Sequence, residues 1–95
     1  MSFEQFMLAR FEIAEILDDN IEAGGGILDF HPGNRSFGDD AVYDSMDFLV
    51  SCRKDFDIEG FIMDKFTPQR ISYDEFMNEC KFNFQGFEIE FALFN

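Results

Sequence analysis

The longest hydrophobic pattern lies at the start of the chain and predicts one amphipathic helix over residues 3–22. Apolar residues recur there at every third or fourth position, the spacing that lines one helix face: Phe3, Phe6, Met7, Phe11, Ala14, Leu17 and Ile21. Ser2 is placed to cap the first turn. The glycines from Gly24 to Gly26 can adopt the left-handed conformation that ends a helix. We therefore expect a capped helix with a wide buried face.

A second helix is predicted over residues 39–54. Its inner face would consist of Val42, Met46, Leu49 and Cys52. Asp39 and Asp40 would lie at the positive end of the helix dipole, and Arg53 and Lys54 at the negative end. This charge order favours a helix that runs in the predicted direction.

The segments between and after these helices predict short elements. Residues 27–31 favour a strand and residues 31–34 a turn, because Pro32 and Gly33 prolong neither element. Over residues 58–66, Gly60 and the apolar run that follows it favour a strand over a helix, and Pro68 ends the element. Ser72 and Glu75 form a capping-box pattern, which predicts a short helix over residues 72–80.

The end of the chain has the clearest alternating pattern. Phe87, Ile89, Phe91 and Leu93 alternate with Glu88, Glu90 and Ala92, as in a strand with one buried face and one wet face. Phe82 and Phe84 alternate similarly before Gln85 and Gly86, which predicts a hairpin. The elements together predict an α+β fold. We expect one small domain over residues 1–95, with two or three helices packed on an antiparallel sheet that ends in a C-terminal hairpin.

Charge narrows the classes of partner. The chain carries 20 Asp and Glu against 7 Lys and Arg, a formal charge of -13, yet 46% of its residues are hydrophobic and 15 are Phe. A core can therefore form with the charge outside it. Such a surface is repelled by nucleic acid phosphates and by anionic membranes, and it attracts cationic proteins. We expect a basic protein partner, with no direct binding to nucleic acid or to a membrane.

The sequence shows no targeting, membrane-spanning or C-x-x-C pattern, which bears on the cellular location of the protein and on the redox state of its cysteines. No basic segment precedes an apolar run at the start, and no stretch approaches the roughly 18 apolar residues that span a bilayer. Cys52 and Cys80 lack the C-x-x-C spacing of zinc or redox sites, which favours buried, reduced thiols. We expect a cytoplasmic protein. Monomer and homodimer both stay open.

Carboxylates in rows form the candidate binding site. Glu12, Glu15, Asp19 and Glu22 recur at steps of three or four residues on the first helix, as do Asp40, Asp44 and Asp47 on the second predicted helix. Neighbours at these spacings lie about 5–6 Å apart, and each like-charged pair destabilises a helix by about 0.2–0.5 kcal/mol. A charge-matched partner would explain the rows. The alternative is a solvated acidic face without a specific partner.

The sequence supports a metal site or a catalytic site less well than it supports an acidic binding surface. Residues 18–29 resemble a calcium loop in their oxygen ligands, but Ala23 stands where the turn requires glycine and Asp29 is shorter than the usual final Glu. His31 is the only histidine, and no nucleophile stands at a recognised spacing from it. We therefore expect no cofactor, no metal and no enzymatic activity. Phe37, Phe56 and Phe94 lie at element edges and are candidates for exposed anchors.

In its acidic rows, small size and lack of catalytic motifs, the chain resembles the DNA-mimic inhibitors of phages, including antirestriction and anti-CRISPR proteins. The resemblance covers the whole chain as charge and size. It implies that the carboxylates of both rows occupy the cationic channel of a host defence nuclease or another DNA-binding protein. Two alternatives are an immunity protein or antitoxin that neutralises a basic nuclease toxin, and a non-catalytic acidic adaptor subunit.

Overall fold

The described residues form two α-helices and a five-stranded mixed sheet. The computed structural model describes residues 2–33 and 43–94. Its elements are α1 (Phe3–Glu22), β1 (Ile27–Pro32), β2 (Ser45–Cys52), α2 (Ile58–Phe66), β3 (Ser72–Asp74), β4 (Glu79–Phe84) and β5 (Phe87–Phe94). The strand order is β1-β2-β5-β4-β3, in which β2 and β5 are parallel and every other pair is antiparallel. The predicted α+β class and the C-terminal hairpin are confirmed, whereas the sheet is mixed and not purely antiparallel.

Helix α1 begins and ends where the sequence predicts. The Ser2 hydroxyl accepts a hydrogen bond from the Gln5 amide (3.2 Å), and the Gln5 side chain accepts one from the Ser2 amide (3.0 Å). This capping box satisfies two backbone donors that the first turn leaves free. At the other end Gly24 has a φ of +67°, and the Gly25 amide donates to the carbonyl of Asn20 (2.9 Å). The glycine run therefore closes the helix in a Schellman-type cap.

The buried face of α1 is narrower than predicted. Its fully buried residues are Phe6, Ala9, Ile13 and Leu17. Phe3 and Phe11, which the sequence pattern assigned to the buried face, are 55% and 66% exposed. The prediction was wrong for these two residues because the sheet covers only one strip of the helix.

The predicted helix over residues 39–54 is wrong for residues 45–52, which form strand β2; residues 39–42 lie outside the described part of the chain. Met46, Leu49 and Cys52 follow the spacing of a helix, whereas every second residue from Met46 to Cys52 follows that of a strand, and Leu49 is exposed. The strand buries Phe48 and Val50 between Met46 and Cys52, so the buried positions alternate along the whole element. Pairing with β1 on one side and β5 on the other satisfies its backbone, which makes β2 a central strand.

Residues 58–66 form a helix, contrary to the strand prediction. The Asp57 carboxylate accepts a hydrogen bond from the Gly60 amide (3.0 Å) and caps the first turn. Ile58, Phe61, Ile62 and Phe66 are buried at a helical spacing. Helix α2 supplies part of the long crossover that parallel strands β2 and β5 require.

Residues 72–80 form strand β3, a turn and the start of strand β4, so the short helix predicted there is wrong. The capping box of Ser72 and Glu75 does not form. The Asp74 carboxylate instead accepts the amides of Phe76 and Met77, and Asn78 takes a left-handed conformation with a φ of +55°. Side chains of Asp and Asn that bond to nearby amides favour turns over helices.

The core lies between the helices and one face of the sheet. A single cluster contains the buried residues of both helices and of alternate positions along the strands. Phe91 stands at its centre, with ring centroids 5.2 Å from Phe82, 5.9 Å from Phe48 and 6.1 Å from Phe66. The opposite face of the sheet, which we call the open face, carries Asp47, Glu88, Glu90 and the other alternating positions. No described helix covers it.

We expect Phe91→Ala to lower the free energy of unfolding by about 3–5 kcal/mol, because it leaves a cavity where three rings meet. Phe11→Ala removes the same atoms from an exposed position and should change stability by less than about 0.5 kcal/mol. Urea unfolding followed by circular dichroism measures both. Equal losses in the two variants would contradict the placement of the core.

Candidate functional site

The candidate site is the outer face of α1, which we call the acidic helix face. It carries Glu4, Glu12, Glu15, Asp18, Asp19 and Glu22, all of them exposed. The four residues that the sequence predicted on this helix therefore lie together on one side of it, and their role in binding stays a prediction. Arg10 is the only basic residue of α1.

The position of these acids along α1 opposes the stability of the helix. Asp19 and Glu22 lie at its C-terminal end, and its last turn has no basic residue. The carbonyls there form the negative end of the helix dipole, where a carboxylate costs about 0.3–1 kcal/mol. Repulsion between acids at three- and four-residue spacing adds to this cost. Stability alone therefore does not explain the charge distribution.

One hydrogen bond ties the acidic helix face to the sheet. The side-chain amide of Gln85 donates to the Glu12 carboxylate over 2.7 Å. Gln85 belongs to the β4–β5 turn, where Gln85 and Gly86 both have positive φ values of 53° and 85°. Such a turn is typical of tight hairpins. The contact fixes Glu12 more firmly than its neighbours on the helix.

Two exposed apolar side chains lie among these carboxylates. The sequence analysis did not predict that either of them is exposed. Leu8 and Phe11 are 63% and 66% exposed on the outer side of α1. The signal for Leu8 was present in the sequence, since it falls outside the apolar stripe that defines the buried side. The surface is therefore acidic and apolar together, a combination found where cationic proteins bind with some burial of carbon.

The two described residues of the second predicted row, Asp44 and Asp47, do not form a helical stripe beside this surface. Asp40 lies outside the described residues. Asp44 is exposed in the turn before β2, and its carbonyl accepts the amide of Glu88. Asp47 belongs to the open face, because it alternates with the buried Met46 and Phe48. A sheet thus separates Asp47 from α1, and the prediction that Asp44 and Asp47 share a helical row is wrong.

The open face is also acidic, but several of its charges are paired. Lys81 lies 3.7 Å from Glu90, and the imidazole of His31 lies 3.2 Å from Asp29. A hydrogen bond to the carboxylate of Glu90 raises the pKa of Glu79, and desolvation acts in the same direction. Lys81 thus offsets part of the negative charge on the open face. The acidic helix face is therefore the stronger candidate for a cationic partner.

The calcium-like segment does not form a loop. Its first ligands, Asp18 and Asp19, lie within α1, whereas Asp29 lies in β1. The Asn20 side chain instead accepts the amide of Ile27 (2.9 Å), which joins the helix end to the first strand. Over residues 2–33 and 43–94, no group of three or more His, Cys, Asp or Glu side chains is arranged to hold a metal ion.

Both thiols are buried and free, as predicted. Burial raises the pKa of Cys80 to about 11, with smaller contributions from Glu59 and Cys52, so this thiol stays protonated at neutral pH. Of the predicted anchors, Phe56 is half-buried against Phe61, Phe94 is 45% exposed, and Phe37 lies outside the described residues. In the described part of the chain, no helix is long and apolar enough to cross a membrane.

The chain matches no protein-family model, and neither a curated protein nor a solved structure is significantly similar to it. The functional argument therefore depends on the charge and geometry of the surface.

Two reversals at opposite ends of α1 test the cost of the acidic helix face. Glu22→Lys places a cation at the negative end of the dipole and should raise the free energy of unfolding by about 0.3–1 kcal/mol. Glu4→Lys changes the net charge equally, but it removes the favourable acid of the first turn and should not stabilise the helix in this way. Urea unfolding at low ionic strength measures both variants. Equal stabilisation would show that only net charge matters.

The Glu79–Glu90 pair predicts a pH-dependent difference in stability. The pKa of Glu79 is raised in the folded state, so its protonated carboxyl group adds to the free energy of unfolding. This contribution is fully present below the ordinary pKa of Glu and is lost as pH rises through the raised value. Glu79→Gln should therefore stabilise the protein at pH 7 relative to wild type, and this gain should vanish near pH 4. Glu88→Gln, which removes a charge from the same sheet face, is the control in thermal unfolding at both pH values. A gain independent of pH would contradict the pairing.

Proposed function

We propose that this protein is an acidic DNA mimic, which blocks the cationic nucleic-acid-binding surface of a host defence nuclease or another DNA-binding protein. The observation that carries the proposal is the acidic helix face. Its exposed carboxylates are retained at the end of α1, where they cost stability and where the last turn of the helix contains no basic residue. Binding to a cationic surface would compensate for that cost.

The geometry of α1 supports a partner that normally binds phosphates. Successive carboxylates along the helix are about 5–6 Å apart, a regular row of negative charges comparable to a nucleic acid strand. The row lies on a rigid element that is capped at both ends. A preformed row requires little ordering on binding, so less of the electrostatic attraction is offset by lost conformational freedom.

The net charge of -13 supports the same class of partner through association kinetics. Long-range attraction accelerates encounter with a cationic protein, and the acceleration falls steeply as salt screens the charges. The same charge opposes approach to nucleic acid and to anionic lipid. The proposed contact is direct, and it requires neither a metal nor a cofactor.

Charge reversal on α1 is the central test of the function. Immobilised protein is incubated with host-cell lysate, bound proteins are eluted with short double-stranded DNA, and the eluted proteins are identified by mass spectrometry. Glu15→Lys combined with Glu22→Lys should reduce this DNA-eluted fraction at least about tenfold, because two carboxylates of the acidic helix face become cations that repel a basic partner. Glu12 is left unchanged, since its reversal would also break the bond to Gln85.

A charge-matched variant and an unstructured polyanion are the controls. Glu59→Lys combined with Glu88→Lys changes the net charge equally, but at exposed positions on α2 and β5, and should retain most of the capture. A polyglutamate resin identifies proteins that bind any anion. Capture should persist with EDTA and weaken steeply with salt. Capture indifferent to both the α1 reversal and salt would refute the proposal. The identity of the eluted protein separates a defence nuclease from a toxin nuclease.

A further inference from the structure

The turn between β3 and β4 holds the most exposed aromatic side chain of the described residues. We call residues 74–79 the hairpin tip. Phe76 is 94% exposed there, and its neighbour Met77 is 56% exposed. Burying a Phe or Met side chain is worth about 1.5–3 kcal/mol, so the fold forgoes this gain at two adjacent positions. The acidic helix face does not explain the arrangement, because the hairpin tip belongs to the far edge of the sheet.

Asp74, at the start of the hairpin tip, holds the backbone of the turn. Its carboxylate accepts hydrogen bonds from the amides of Phe76 (2.9 Å) and Met77 (3.1 Å). These bonds fix the backbone of both apolar residues in one turn. Phe76 therefore projects from a defined position on the turn.

Asn78 anchors the other side of the hairpin tip to the centre of the sheet. It accepts the hydroxyl of Tyr73 over 2.6 Å, and its side-chain amide donates to the carbonyl of Leu93 over 2.8 Å. The amide of Leu93 donates in turn to the carbonyl of Asn78 (2.9 Å). Asn tolerates the left-handed conformation that this position adopts, with a φ of +55°. The bonds connect the edge hairpin to the neighbouring strand β5.

An exposed aromatic residue contributes more to binding affinity when it is held in place before the partner binds. A side chain that is already positioned loses little conformational entropy when a partner covers it. Aromatic anchors that fill a pocket on the partner commonly supply much of the binding energy. The bond from its amide to Asp74 holds the backbone of Phe76, so mainly the rotamers of the side chain would have to be ordered on binding.

The charges around the hairpin tip indicate the chemistry of the pocket. Asp74 and Glu75 are exposed beside Phe76, and Glu79 follows at the start of β4. We propose that the hairpin tip inserts Phe76 into an apolar pocket with a basic rim on the partner protein. The inference rests on the proposed function only in taking that partner to be a basic protein. It adds an apolar contact, which DNA itself would not make, to the electrostatic one.

A synthetic host with an apolar cavity and a basic rim provides a direct probe. Amino-β-cyclodextrin, which carries ammonium groups on one rim, is titrated into isotope-labelled protein and followed by NMR. Resonances of Phe76 and Met77 should shift first and saturate at a lower concentration than with neutral β-cyclodextrin. Phe76→Ser should abolish these shifts, whereas Phe11→Ser, at another exposed Phe with acidic neighbours, should leave them intact.

Two substitutions at Asp74 separate charge from rigidity. Asp74→Asn keeps an oxygen that can accept the amides of Phe76 and Met77, so it should weaken only the ammonium-bearing probe. Asp74→Ala removes the acceptor of both amides and should lower the affinity for both the ammonium-bearing and the neutral cyclodextrin. Shifts that are larger at Phe3 or Phe11 than at Phe76, or binding that survives in Phe76→Ser, would overturn the inference.

The protein that DNA elutes from the immobilised chain provides the second arm, once it is purified. Its affinity for Phe76→Ser should fall at least about 30-fold, the loss expected of a binding hot spot. An unchanged affinity for Phe76→Ser, together with a loss in the α1 reversal, would refute the hairpin contact and leave the proposed function standing. The opposite result would retain the contact and refute the role of the acidic helix face.

Discussion

The packing of phenylalanine rings on one face of the sheet is the interaction on which the rest of the structure depends. Phe91 contacts rings from three other elements, and Phe66 of α2 contacts Phe82 and Phe84 at 5.1 Å each. Aromatic rings bury large areas, so a small domain can reach a sufficient core with few side chains. No charged or polar residue of the described chain is buried in this core. All of the described acids are therefore held at or near the surface.

A core on one side of the sheet gives the molecule two different acidic surfaces. Helix α1 presents exposed carboxylates, some of which oppose its dipole, whereas the open face carries carboxylates that lie close to Lys81, to His31 or to one another. The first surface retains most of its attraction for a cationic partner. The hairpin tip adds two exposed apolar side chains at the edge of the sheet. Acidic and apolar side chains are thus exposed together both on the outer side of α1 and at the hairpin tip, and these are the two surfaces on which the proposed binding of a basic protein depends.

Local sequence was sufficient where one segment contains its own signals. Helix α1 has a capping Ser2, a glycine run at its end and a long apolar period, so its bounds and its acidic row were predictable. Strand β5 was equally clear, because its buried Phe87, Ile89 and Phe91 alternate without interruption. The charge of the chain and the burial of both thiols also followed from composition.

Tertiary structure decided the elements whose patterns were ambiguous. The apolar positions of residues 45–52 fit both a helical and a strand period. The strand forms because this segment pairs with β1 on one side and with β5 on the other, and Asp47 then lies on the open face. In residues 58–66, burial against the sheet and the cap at Asp57 outweighed the strand preference of the apolar run. The hairpin tip depended on Asn78, whose partner Leu93 lies 15 residues further along the chain. The sequence by itself thus determined a folded anion with a capped acidic helix. Which acids share a surface, and which aromatic side chain stays exposed, depended on contacts between distant segments that no local period encodes.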